Sequence, residues 1–416
     1  MTRLRLEYEG LDRDPVRAVD AKDNATAMSW SQGLLRELVD ATGAKVGFDY
    51  DEFGQLSGVT NGVGDTWRIL HDQAGRIRET ITPLGYRTVL SYDDAGHLVS
   101  RVDPDGAHWV YSYDPAGNLE TVTAPDGGQT SYTWCPDGQV ASITDPAGAT
   151  TTYAYDGLGD LSAIGLPGGV QWQFLRDAMS RLCQLTDPAG GRWRADYDVN
   201  GDITSVVDPT GVRQSLTTKG HQDQVTNATG RVVAARTWDD YGRLTSTTDV
   251  FGATERIDYD ECGLPTALTD STGAITRFDH DAAGRLTTVT SPGGLVHRYD
   301  YDATGRLATM TNPAGATTHY HYDADGRLTT RIDPTGETTC HSWDAAGRLI
   351  RTTIGDVVTY SACYDACGRP IRIWDPVAAT RHFTWDAAGH LISAVDPTGG
   401  VHRYAWDTVS YTHLTL

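Results

Sequence analysis

A single 21-residue pattern runs through almost the whole chain, and a chain built this way folds unit by unit instead of around one core. Its anchor is an aromatic residue followed by Asp, with Gly three residues after that Asp. The clearest copies are Tyr92-Asp93, Tyr113-Asp114, Tyr155-Asp156, Tyr301-Asp302, Tyr322-Asp323 and Trp343-Asp344. Anchors fall at 50, 71, 92, 113, 134, 155, 176, 197 and 218. After the loss of one residue they continue at 238, 259, 280, 301, 322, 343, 364, 385 and 406. Stepping backwards, the phase reaches Ser29, with Gly33, and Tyr8-Glu9. The pattern predicts one continuous array from Tyr8 to Trp406 with a single slip near residue 220.

The copy from Gly315 to Gly336 displays the chemistry of one unit. Two seven-residue runs alternate with two turn signals. Thr-rich, β-branched and aromatic content favours strands. Strand side chains alternate, so Tyr320 and Tyr322 share one face. Leu328, Thr330 and Ile332 are expected to share a face by the same rule. In Asp323-x-x-Gly326 the Asp side chain can accept turn amides and the Gly can adopt positive φ. In Asp333-Pro334-Thr335-Gly336 the proline suits the first central turn position. Prolines recur at this phase from Pro83 to Pro209, from Pro292 to Pro334, and at Pro376 and Pro397. Such spacing excludes a helical solenoid. One short helix is expected near Gly33–Val39. A lone hairpin is marginal, so neighbours must pair edge to edge into one long antiparallel sheet.

Composition narrows the function. Tyr (20) and Trp (11) outnumber Phe (6), and Lys occurs only at Lys22, Lys45 and Lys219. The net charge of −21 disfavours nucleic acid and an anionic membrane surface. The acids recur at turns, which reads as solvated turn chemistry. No apolar run reaches the length of a membrane span, and Met1 to Tyr8 lacks the apolar stretch of a signal peptide. The six cysteines, Cys135, Cys183, Cys262, Cys340, Cys363 and Cys367, scatter over the repeat phases and make no disulfide or zinc framework. Only Cys262 and Cys367 share a phase.

Candidate sites are few, and no catalytic, cofactor-binding or metal-ligating residue is assigned. No Gly-rich phosphate loop, Gly-x-Ser-x-Gly elbow or His-Glu-x-x-His pair occurs. The Asp323-Ala324-Asp325-Gly326 and Asp103-Pro104-Asp105-Gly106 turns lack the remaining ligands of a Ca2+ loop and read as structural. His319 and Cys340 occupy one phase in consecutive units and are expected side by side, near His321 and His341; a metal would need further ligands. Aromatic rows suit packing, with stacking on sugars as the competing use. The stretch 218–237, with the worn unit Arg176-Asp177-Ala178-Met179-Ser180 before it, is expected to carry a bulge, seam or bend.

The Tyr-Asp-x-x-Gly-Arg-Leu core, as in Tyr301 to Leu307, resembles the YD repeat of bacterial Rhs proteins, insecticidal toxin-complex shells and teneurins. This resemblance covers essentially the whole chain. It implies a spiralling β-sheet that forms a hollow shell, which in bacterial members encloses a C-terminal toxic domain. No core segment closing the shell and no toxin domain is present; after Trp406-Asp407 the motif lapses, which suggests truncation. The expected layout is degenerate repeats over 1–49, a regular β-shell over 50–407 and a non-repeat tail over 408–416. About 40 strands at ~4.8 Å spacing give a ribbon ~190 Å long, too little to enclose an ordinary domain fully. The sequence therefore predicts an all-β, partial open shell without enzymatic activity or cofactor. It would be secreted or displayed as part of a longer polypeptide, with that polypeptide's C-terminal toxin domain as partner. The alternative is a cell-surface adhesin or carbohydrate-binding array that contacts glycans through exposed Tyr and Trp.

Overall fold

The computed structural model describes residues 4–9, 13–406 and 413–415. Forty strands and no helix occur among them, from β1 (Arg5–Tyr8) to β40 (His413–Thr415). Each strand pairs antiparallel with the next in chain order, so the sheet is one long meander. The expected tail 408–416 lies outside the described residues except for 413–415, whose strand pairs with β39 (Val401–Trp406). The sheet is a single layer. Its accessible surface is 24232 Å2, against about 16,000 Å2 for a compact globule of this mass. Among the described residues only Val19, Ala107, Ala267 and Ala362 are buried apolar side chains. Stability must therefore come from contacts between adjacent hairpins.

Both turn types share one geometry. In Asp302–Arg306 the Gly305 amide donates to the Asp302 carbonyl at 2.9 Å, and the Asp302 amide donates to the Arg306 carbonyl at 2.8 Å. Gly305 has φ +82°, which a β-carbon would strain. Asn312–Ala316 repeats these bonds. Each is a tight turn closed by a glycine in the left-handed region. All Asp-x-x-Gly-Arg turns lie on one edge of the ribbon, the Arg edge. All Asp-Pro-x-Gly turns lie on the other, the Pro edge.

A β-bulge in every regular unit sorts the side chains. Tyr322 of β31 (Thr317–Tyr322) pairs with Leu328 of β32 (Leu328–Ile332), but His321 pairs with Thr330, leaving Thr329 extra. Leu328 thus joins the face of Tyr320 and Tyr322, whereas Thr330 and Ile332 lie opposite His321 and His319 on the other face. The expectation that Leu328, Thr330 and Ile332 share a face is wrong because the bulge breaks the alternation. The bulge gathers an apolar face, as in Tyr111 with Val122, Tyr113 with Leu119, and Tyr299 with Met310. The opposite face pairs Ser112 with Thr121 and Asp300 with Thr309.

The ribbon winds back on itself. The turn between β8 (Ile77–Ile81) and β9 (Arg87–Tyr92) meets the turn between β31 and β32: the Leu84 amide donates to Asp325 Oδ1 at 3.1 Å, across 241 residues. Arg348 reaches Asp105 and Arg369 reaches Asp126, each across 243 residues at 2.8 Å. Lys22 likewise pairs with Asp260. One winding therefore takes 23 strands, and the forty strands make roughly 1.7 windings. At ~4.8 Å per strand the wall is about 110 Å around and about 35 Å across between backbones.

Three local expectations need correction. Leu34–Val39 is a strand, not a helix, because Gln32 (φ +55°) and Gly33 (φ +73°) form a two-residue hairpin turn. The N-terminal anchor is Trp30, not Ser29: Trp30 Nε1 donates to the Pro15 carbonyl at 2.8 Å, as other anchors do. The array thus slips more than once. Over 218–237 a tight turn at Gly220-His221 replaces the usual five-residue turn. The bulge there moves to the next strand pair, between Val225 and Thr226, which keeps the faces in phase. A bulge was among the expected forms.

Candidate functional site

The repeated structural element is a clamp between successive units. Asp302 Oδ1 accepts the amides of Thr304 and Arg306, both at 2.9 Å. Its Oδ2 accepts Arg306 Nε at 2.8 Å. The same guanidinium donates to the Asp323 carbonyl of the next unit at 3.2 Å and stacks on Tyr322, 4.9 Å from the ring centre. The Tyr322 hydroxyl then donates back to the Leu307 carbonyl at 2.9 Å. The stacked cation recurs at Arg76 on Tyr92, Arg181 on Tyr197, Arg243 on Tyr259, Arg285 on Tyr301 and Arg348 on Tyr364. Where Arg is replaced, His97 stacks on Tyr113 at 4.6 Å and still binds Asp93.

The clamp explains the composition. The anchor must donate, so Tyr and Trp serve and Phe cannot. Trp134, Trp343 and Trp385 indoles make the same bond to the carbonyls of Leu119, Leu328 and Pro370. The turn acids act as acceptors for backbone amides. Burial pushes the Asp302 carboxyl up, but bonds from Thr304 and Arg306 outweigh it and hold the group below its ordinary value. Asp281 follows the same balance with Arg285. Burial pushes the Tyr364 phenol up to about 12, reinforced by its hydrogen bond with Tyr360.

The windings meet at a second recurring site, the seam. Asp325 accepts from Thr82 Oγ1 at 3.0 Å as well as from Leu84, and Arg327 lies over the Tyr86 ring at 5.3 Å. Burial raises the Asp126 carboxyl, yet bonds from the Gly128 amide and Arg369 bring it below the usual range. Asp260 is lowered by Lys22 against the same opposing burial. This is where the two Ca2+-like turns belong: Asp325 and Asp105 face the other winding, and Asp103 binds Arg101 at 2.9 Å and Trp109 Nε1 at 3.2 Å. Cys262 and Cys367 are there too, in hydrogen-bonding reach of Asp20 and Asp126.

His319 and Cys340 are not side by side. His319 pairs with Thr309 and Ile332, while Cys340 pairs with Thr330, so β32 intervenes. His341 lies opposite Thr352, with its Nδ1 3.1 Å from that hydroxyl, and burial lowers its pKa. No group of three or more potential metal ligands occurs among the described residues. Sequence reasoning missed the seam entirely, although the shared phase of Cys262 and Cys367 was a trace of it.

A single-layer, tandem-hairpin β-wall, clamped unit to unit and wound on itself, is the class of protein these contacts define. The chain belongs to the RHS repeat family, whose pattern matches residues 30–66, 71–108, 92–129, 136–170, 155–192, 259–296, 301–338 and 364–401. Among curated proteins none matches it. Two solved structures have the same fold: one described as TcdB2-TccC3-TEV, with 15% identity and TM-score 0.71 over 99% of this chain, and one as TcdB2-TccC3-Cdc42, with 15% identity and TM-score 0.70 over 96%. The chain spans about a quarter of those proteins, 27% and 26% of their lengths.

Proposed function

We propose that this chain is the shell wall of a longer Rhs-type polypeptide and holds a C-terminal toxin domain until delivery outside the producing cell. The observation that carries this reading is the stitched winding. A meander whose successive windings bond edge to edge makes a continuous lateral barrier, which a flat or open ribbon would not. Its chemistry is that of packing, with ring faces covered by guanidinium groups and donors bound to backbone carbonyls. The anchor aromatics are thereby engaged in the wall, which favours enclosure over glycan capture.

The dimensions suit an incompletely folded cargo. About 35 Å between backbones leaves roughly 20–25 Å once side chains are in place, less than the ~33 Å breadth of a compact 100-residue domain. Within the longer polypeptide we assign 1–49 to degenerate repeats, 50–407 to the regular wall with its irregular unit 218–237, and 408–416 to a non-repeat tail. Limited proteolysis of the full polypeptide tests the reading. The cargo should resist cleavage while the wall is intact and become accessible when the wall is opened by acid. Equal cleavage in both states would sink it. Saturable glycan binding lost on Tyr→Ala at the anchors would favour the adhesin instead.

A further inference from the structure

Turns of the second winding that lie on the seam differ chemically from those on the free Arg edge. The residue after the turn Asp is Ala282, Ala303, Ala324, Ala345, Ala366 and Ala387 in six consecutive seam turns. On the free Arg edge, from Asp51 to Arg243, that position holds residues such as Glu52, Gln73, Asp94 and Val199, and Ala only at Ala178. The next position shows a weaker contrast. On the free edge it carries Phe53, Leu158, Met179 and Tyr241, all at least 63% exposed, beside Ala74, Ala95, Ala116 and Asp137, whereas on the seam it holds only Cys, Thr, Asp or Ala. The run begins one turn after the sheet first overlaps itself: the Asp260 turn, which meets Lys22, still carries Glu261, and the alanines start at Ala282.

Close backbone approach is the physical reason. A β-carbon at Gly62 would lie 3.2 Å from the Ala303 carbonyl oxygen, and one at Gly128 would lie 2.9 Å from that of Ala387. Larger tips would hold the windings apart and strand their polar groups. At some turns the second tip position adds a polar group facing the first winding: Asp325 takes the Leu84 amide, and the Cys262 and Cys367 thiols lie beside Lys22 and Asp126. Arginines four residues after the turn Asp bind acids at Pro-edge tips, Arg348 to Asp105 and Arg369 to Asp126. We propose that the alanine run, with these polar groups and arginines, selects the register in which the second winding seats on the first. The inference concerns which unit meets which, and it holds whatever the wall encloses.

The native thiol of Cys367 provides the test. Asp126→Cys places a second thiol in the proposed register, and Asp105→Cys places one where a one-unit slip would bring it. After mild oxidation with copper phenanthroline, mass spectrometry of peptides should find residue 126 joined to Cys367 and residue 105 not joined to it. Joining of residue 105 at comparable yield would overturn a fixed register. In the Asp126→Cys chain, Ala345→Leu, Ala366→Leu and Ala387→Leu together should lower the yield about fivefold or more, the scale of a modest overpacking penalty. Glu52→Leu with Gln73→Leu on the free edge should not lower it. An unchanged yield in the triple variant, with far-UV circular dichroism intact, would remove the alanines from the proposal. Should the triple variant lose its β signal, Ala366→Leu alone is read by the same criterion.

Discussion

The Tyr322 hydroxyl donates to the Leu307 carbonyl oxygen at 2.9 Å, fifteen residues back along the chain. That carbonyl belongs to the preceding hairpin, so the bond staples one unit to the next. The same bond forms at Tyr113 to Leu98, Tyr155 to Val140 and Tyr364 to Leu349.

Tyr322→Phe removes the donor and leaves the Leu307 carbonyl without its partner. The expected cost is about 1 kcal/mol. Because the wall is stabilised between neighbours, amide hydrogen exchange should quicken around 301–332 and stay unchanged near residue 150. A uniform change along the chain would contradict this local account.

Arg306→Lys keeps the charge but loses the planar fork and the stacked face. The clamp then loses its bond to the Asp323 carbonyl or its ion pair with Asp302, since an ammonium cannot hold both in that geometry. A loss of about 1–2 kcal/mol is expected in denaturant unfolding. A cost below ~0.3 kcal/mol would reduce the clamp to an ordinary surface ion pair.

Ser180 occupies the turn position that glycine fills elsewhere, with φ +60°. A β-carbon there carries the left-handed penalty. Ser180→Gly should therefore stabilise the chain by about 1 kcal/mol, seen as a rise in the thermal midpoint. A fall would mean that the Ser180 hydroxyl contributes a bond of its own, beyond the backbone carbonyl that accepts from Arg176 and that glycine would retain.

Acid should loosen the wall late. The carboxyls of Asp281, Asp302, Asp126 and Asp260 are lowered, so the unfolded chain takes up protons first as pH falls. Their contribution is complete above the ordinary carboxylate value near 4 and is lost as pH drops through the lowered values. Circular dichroism should hold from pH 7 to about 5 and decline below about 4. Loss near pH 6 would point instead to a histidine buried in its neutral form, such as His341, whose pKa burial lowers.

The regular period made the strands and turns readable, because each 21-residue unit repeats the same local chemistry. Tyr-Asp-x-x-Gly-Arg could be read as strand, turn and strand from residue 50 onward. Three features were not readable by alternation alone. The bulge at Thr329 put Leu328 and Arg331, three apart, on one face. Trp30 replaced Ser29 as anchor because its indole supplies the needed donor one residue later. The seam pairs residues about 241 apart, a separation that no single unit encodes. Its trace was the alanine run from Ala282 to Ala387, visible only when turns are compared between windings.

Opposite edges meet on the seam because an odd count of strands, 23, separates the paired turns. Inserting or deleting one hairpin changes that separation by two strands and leaves it odd. In mechanical terms the wall is a screw thread of fixed tooth size. Gene duplication can lengthen it by whole teeth, and each new tooth advances every later one along the groove without altering how thread meets thread. A lone strand gained or lost would instead turn the thread's crest toward its own crest, which is why even the irregular segment at 218–237 keeps its full pair of strands.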